Sequence, residues 1–225
     1  MKALSALAKF LGLYGEFKDL IKNYGLKWNS GNVDDLIISR LTKANENDDI
    51  LKWIGRIKDK LPKLDVFLDF VLASGSRYEE SVKAYNLIID LARKKRLNEY
   101  YNVEAEALEH FRFKQHFILR TKKVFISLIP KTSIQKISKQ DKLTCTQINK
   151  QIQRNGFKLR FGDVREFYAT YMTKWLAQPE IDFLQGRVSA NVFMRNYFNP
   201  ALIDDLKERV YRAIMKIPRT CPQNQ

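Results

Sequence analysis

The sequence predicts a mainly α-helical domain carrying one small antiparallel β-sheet, an α+β fold. Two observations predict it. Apolar residues recur at three-to-four spacing over most of the chain, and the period drops to two only between about residues 111 and 128. A length of 225 residues suits one good-sized domain with a small appendage.

The elements follow in order. Leu4, Leu7, Phe10, Leu11, Tyr14, Phe17 and Leu20 fall on one helical stripe over residues 3–27. Residues 29–32, Asn-Ser-Gly-Asn, read as a turn or linker. Short helices are expected over 34–41 and 49–57, separated by the polar run 43–48. Residues 64–73 are strongly apolar and stop at Gly75, where a left-handed residue ends a helix. A long amphipathic helix over 79–95 turns Val82, Tyr85, Ile88, Ile89 and Ala92 inward. Phe111, Phe113, Phe117 and Leu119 then alternate with polar residues. After Thr121-Lys122-Lys123, so do Val124, Ile126 and Leu128, which predicts a β-hairpin ended by Pro130. The polar stretch 131–142 reads as loop. Helices resume over 144–154, closed by Asn155-Gly156, and from an Asp163 N-cap through Trp175. Pro179 at a first helical position opens a short helix ending at Gly186. Residues 191–198 and 202–217 form the last two helices, and 218–225 a tail.

Charge is the unusual feature of the composition. Forty Lys and Arg face 25 Asp and Glu, a net charge of +15, with a pI near 9.7. Such a surplus suits a polyanion, because cations that neutralise phosphates release condensed counterions. Cys145 and Cys221 lie far apart with no C-x-x-C spacing, so neither a disulfide framework nor a zinc site is expected. The nucleotide-binding glycine motifs are absent, and His110 and His116 do not have metal spacing. No cofactor is expected. The N-terminus carries no signal-peptide cleavage pattern, and no apolar run reaches membrane-spanning length. A nucleic-acid partner in an intracellular setting, with no membrane span, is the expected context.

Three segments carry the chemistry. The first is Ala73-Ser74-Gly75-Ser76-Arg77-Tyr78-Glu79-Glu80, between an apolar helix and an amphipathic one. The second is Gly162-Asp163-Val164-Arg165-Glu166-Phe167-Tyr168-Ala169-Thr170. The third is Leu184-Gln185-Gly186-Arg187, followed after nine residues by Tyr197-Phe198. Together they resemble the signature of the tyrosine recombinases, or phage integrases, over roughly residues 45–215. Arg77 and Glu80 fall on the first box (T-G-L-R-x-x-E), Arg165 on the second (H-D-L-R-H-x-x-A-T), and Tyr197 on the nucleophile beyond the L-G-H segment. The wording of the last two boxes is most similar to the fuselloviral integrases of archaeal viruses and plasmids, where L-Q-G-R replaces L-G-H and matches Arg187.

The resemblance implies a catalytic domain that cuts and rejoins DNA at attachment sites through a 3′-phosphotyrosine, integrating a viral or plasmid genome. It implies a homotetramer on double-stranded DNA, in a cytoplasmic, nucleoid-associated setting. Tyr197 would be the nucleophile, with Arg77, Arg165 and Arg187 around the phosphate. These residue types suit that role, since a phosphodiester resists attack until its non-bridging oxygens are neutralised, and arginine does so with a planar, always-charged fork. The family's general acid is a lysine on the hairpin. Lys122 is the better match and Lys123 the alternative, because alternation sends the two to opposite faces. Lys94, Lys95, Arg96, Arg120, Lys158 and Arg160 are expected to contact DNA.

The chain departs from the family at Gly162, where many members carry histidine or lysine. That leaves open which group deprotonates the tyrosine, or whether water does; Arg160 or Lys158 is a candidate from the same loop. The expected organisation is a helical remnant of a core-binding domain over 1–29, a catalytic domain over 30–217 and a flexible tail over 218–225. Such a remnant implies a truncated form, or the C-terminal piece of a gene split by integration. Two other readings are type IB topoisomerase relaxation, with the same chemistry, and a non-catalytic helix-turn-helix DNA-binding protein over 144–175.

Overall fold

The computed structural model describes residues 2–26, 46–119, 123–188 and 205–217, with the single positions Asp34, Ile38, Asn196, Asn199, Pro200 and Ile203. The chain divides into two compact units, Met1–Asn45 and Glu46–Gln225; the boundary read from sequence stood at 29/30. In the first unit the expected single stripe is two helices, α1 (Lys2–Phe10) and α2 (Tyr14–Asn23). Gly12 between them takes φ +72°, a left-handed turn that ends α1. The turn at 29–32 lies outside the described residues. So does the helix at 34–41, apart from Asp34 and Ile38.

The second unit is mainly helical with a small antiparallel sheet. Its order is α3 (Glu46–Lys60), α4 (Asp65–Ser74), α5 (Tyr78–Arg93), β1 (Tyr101–Asn102), β2 (Ala107–Glu109), α6 (Lys114–Phe117), β3 (Ile126–Leu128), α7 (Lys131–Ile137), α8 (Cys145–Arg154), α9 (Phe161–Met172), α10 (Gln178–Leu184) and α11 (Leu206–Met215). The strands pair in the order β1-β2-β3, with Tyr101 opposite Leu108 and Leu108 opposite Ser127.

Two apolar cores meet along α9. Phe161, Val164 and Phe167 enter a core built with α3, α4, α5 and α8. Tyr168 and Met172 enter a second with Leu128, Ile181, Leu184, Leu206 and Val210. With two faces of α9 committed to packing, Arg165 occupies a partly buried position between them.

The sheet corrects the hairpin expected from alternation. Residues 110–113 are a 3-10 turn followed by α6. Among the described residues the expected strands meet at an isolated bridge, Ile118 with Lys123, and where the Phe111 N–H donates to the Phe125 carbonyl at 3.1 Å. His110 and Phe117 are buried and Phe113 is partly buried between them, so the inward positions run at three-to-four spacing. Phe111 and Leu119, which the alternation turned inward, are exposed. The loop expected over 131–142 begins with α7, whose Ile134 and Ile137 are buried. Nor does Asp163 cap a helix: α9 starts at Phe161 with Arg160 as its cap residue, and Asp163 sits in the first turn.

His110 also sets a pH dependence. Its Nδ1 lies 2.7 Å from the Tyr100 hydroxyl and its Nε2 2.9 Å from Ser127 Oγ. Burial pushes the imidazole down to about 3. The folded chain therefore keeps it neutral where the unfolded chain takes a proton, below the ordinary value of 6.5. Stability from this group is complete above that value and falls as pH drops toward 3. Between pH 7 and 4.5 the loss is expected to be roughly 2–3 kcal/mol. Urea denaturation at the two pH values should show that excess over a His110→Gln variant, which cannot titrate; equal losses would refute it.

Candidate active site

The first segment is shaped by Gly75. It caps α4 at φ 58°, ψ 13°, and a β-carbon there would stand 2.3 Å from the Tyr168 ring. The chain thus leaves α4 in direct contact with α9 and enters α5 at Arg77, whose extended backbone (φ −67°, ψ 147°) begins the helix. Glu80, on the first turn, accepts the Arg77 backbone N–H at 3.3 Å and the Arg77 Nη1 at 3.0 Å. A guanidinium has no lone pair, so the carboxylate does all of this capping. The Glu80 side chain is 8% exposed and the Arg77 side chain 28%, which holds the cation at the surface by a buried anchor.

The second segment reaches both of the others. Arg165 Nη1 donates to the Gly75 carbonyl at 2.9 Å and Nη2 to the Gln185 carbonyl at 2.7 Å. Burial, and after it the positive charges of Arg77 and Arg187, push the Arg165 guanidinium down to about 10, against the pull of Glu80. Those electrostatic partners define the site. Guanidinium groups from residues 77, 165 and 187 share one neighbourhood with the Glu80 carboxylate.

The third segment ends α10 by a left-handed glycine. Gly186 has φ +66°, and a β-carbon there would overlap the Lys123 carbonyl oxygen at 1.4 Å. The return strand of the 118–123 bridge therefore lies directly on Gly186, with Lys123 beside the segment that carries Arg187. Arg187 N–H donates to the Asp182 carbonyl at 2.7 Å, and its side chain, 43% exposed, lies 3.8 Å from the Asp182 carboxylate. Phe125 stacks on Phe183 with centroids 6.1 Å apart, fixing the strand against α10.

Arg77, Glu80, Arg165, Arg187 and the Lys123 backbone are thus gathered. Tyr197, Lys122 and Arg120 lie outside the described residues. The cluster at the end of α5 lies elsewhere: a 16-residue helix puts Lys94, Lys95 and Arg96 about 24 Å along the axis from Arg77. There Arg96 Nη2 pairs with Glu99 at 2.8 Å. Lys158 is exposed and gives its carbonyl to Trp53 Nε1 at 3.0 Å. Arg160 pairs with Asp163 at 2.6 Å. At Gly162 nothing stands within 4 Å of where a β-carbon would be, so packing does not force the missing side chain.

Two contributors were not legible as site residues in sequence. Gln185 is fully buried, and its side-chain amide donates to the carbonyls of Arg165 at 3.0 Å and Gly75 at 3.4 Å. Tyr168 is the platform under Gly75. The only sequence signal for either was its place inside a box. Among the described residues no cluster of His, Cys, Asp and Glu could hold a metal ion, and no helix is long and apolar enough to cross a membrane. Comparison with protein-family models, curated proteins and solved structures finds no match.

Proposed function

We propose that this chain is the catalytic domain of a DNA strand transferase of the tyrosine recombinase type, acting on duplex attachment sites as a homotetramer. One observation supports it most. Arg165 bonds to backbone carbonyls of both other arginine-bearing segments, so cations from three distant stretches of the chain are drawn into one neighbourhood. Glu80 pairs with Arg77 and Asp182 with Arg187, while the Arg165 guanidinium is held by backbone carbonyls, and a further anion would offset the repulsion among the three. A backbone phosphate is the anion that a chain of +15 meets most readily.

In this reading the guanidiniums of Arg77, Arg165 and Arg187 neutralise charge building on the two non-bridging oxygens. The Tyr197 oxygen attacks phosphorus and the bond to the 5′-oxygen breaks. A lysine from the 122–123 turn protonates that leaving oxygen, worth roughly 10²–10⁴ in rate. The phosphotyrosine keeps the bond energy, and the 5′-hydroxyl of a partner strand reverses the step without a nucleotide cofactor. The host, in this reading, is an archaeon, and the outcome is genome integration.

The test uses a pool of randomised duplexes carrying a 5′-bridging phosphorothiolate, whose thiolate leaving group cannot religate. Wild-type chain should give a DNA-linked band on a denaturing gel, and Tyr197→Phe none. A band of equal intensity in Tyr197→Phe would refute the assignment.

A further inference from the structure

Gln185 makes contacts that its sequence neighbours do not explain. Its backbone carbonyl accepts Arg165 Nη2 at 2.7 Å. Its side-chain nitrogen donates to the Arg165 carbonyl at 3.0 Å and to the Gly75 carbonyl at 3.4 Å. The Gly75 carbonyl in turn accepts Arg165 Nη1 at 2.9 Å. The result is a closed ring of bonds joining the turn before Arg77, the helix of Arg165 and the turn before Arg187.

The amide's orientation follows from that ring, because only its nitrogen can face two carbonyl oxygens without repulsion. The consequence is an amide oxygen, Oε1, that is buried and meets no donor among the described residues. A buried acceptor in that state is destabilising, so an apolar residue of the same length would suit the core better. What the glutamine side chain adds is direction. By tying the Arg165 and Gly75 carbonyls together it fixes the frame in which the Gly75 and Gln185 carbonyls turn two of the five guanidinium N–H groups into the fold, leaving three for a ligand.

Resting on the strand-transfer reading above, we propose that Gln185 is a positioning residue: it holds Arg165 in the orientation that meets a non-bridging phosphate oxygen, without touching the substrate itself. The ring also sets the spacing of Arg77 and Arg187, which flank the two carbonyl acceptors in sequence.

The test compares the full chain with Gln185→Met, which keeps length and loses both donors. The Gly75 carbonyl keeps its bond from Arg165, and the Arg165 carbonyl keeps the ladder bond of its helix, so the variant should fold with little change in melting temperature. Inorganic phosphate at constant ionic strength should raise wild-type melting, and the apparent affinity should fall roughly tenfold in the variant. Adduct formation on a phosphate-linked duplex should fall roughly 10- to 100-fold. On a duplex whose scissile linkage is a neutral methylphosphonate, the variant should stay within about threefold of wild type, since little oxyanion charge is left to meet.

Equal losses on both linkages would mean a merely structural role and overturn the proposal, as would unchanged phosphate affinity in the variant. A wild-type chain that makes no adduct sinks the strand-transfer reading, while the phosphate arm still decides the role of Gln185. Should Gln185→Met fail to fold, Gln185→Asn, whose amide is one methylene too short to span both carbonyls, is held to the same outcomes.

Discussion

Arg165→Lys is expected to lower strand cleavage by roughly 10²- to 10³-fold while barely moving the melting temperature. A lysine carries one compact ammonium and cannot place parallel N–H groups on the carbonyls of Gly75 and Gln185 while still presenting donors outward. Two bonds from a charged donor are weakened, which is destabilising. Against that stands the guanidinium's own situation. It is pushed down to about 10 by burial and by Arg77 and Arg187, so at neutral pH it is charged in both folded and unfolded states and its burial opposes folding. The shorter, more flexible ammonium relieves part of that penalty, and the two effects should offset to within about 1 kcal/mol. Thermal melting and the adduct assay, run on the same preparation, check the separation. A variant with lost activity and collapsed melting would show Arg165 to be structural.

The second large effect is steric. Gly186→Ala should destabilise the fold by roughly 3 kcal/mol or more, beyond the usual range for a single substitution. The left-handed φ of +66° alone costs an L-residue about 1–2 kcal/mol. The added carbon would also stand 1.4 Å from a backbone oxygen, that of Lys123, which cannot rotate aside as a side-chain tip would. The return strand would have to shift, carrying Lys123 with it, so cleavage should fall even where the variant remains folded. Gly162→Ala is the control. Nothing lies within 4 Å of its β-carbon position, and relieving a helical glycine should leave stability unchanged or raise it by about 0.5–1 kcal/mol. Chemical denaturation of both variants measures the contrast, and equal stabilities would contradict the packing at Gly186.

What the sequence made legible follows from how each signal arises. Long helices with strong periodicity, such as α5, and glycine stops such as Gly75 were visible because a local rule produces them. The sheet was misread because its strands are two or three residues long, too short to show a period. Phe111 and Leu119, apolar but exposed, also made a helical segment look alternating. Helix α7 was missed because only Ile134 and Ile137 mark its inner face. For the site, the boxes named Arg77, Arg165 and Arg187 by resemblance, but no spacing rule shows that Arg165 reaches across 90 residues to Gly75 or that Gln185 spans 110 to the same carbonyl. Such contacts are decided by how helices pack. Only the stacked chain can display them.

The most direct measurement is peptide mapping of the DNA adduct trapped with the phosphorothiolate pool. Mass spectrometry of the digested wild-type adduct should find the nucleotide remnant on the peptide containing Tyr197, with adduct yield cut by Arg77→Ala, Arg165→Ala and Arg187→Ala alike. A remnant on any other residue, or undiminished yield in the three arginine variants, would contradict a site in which those cations and that phenol act on one phosphate.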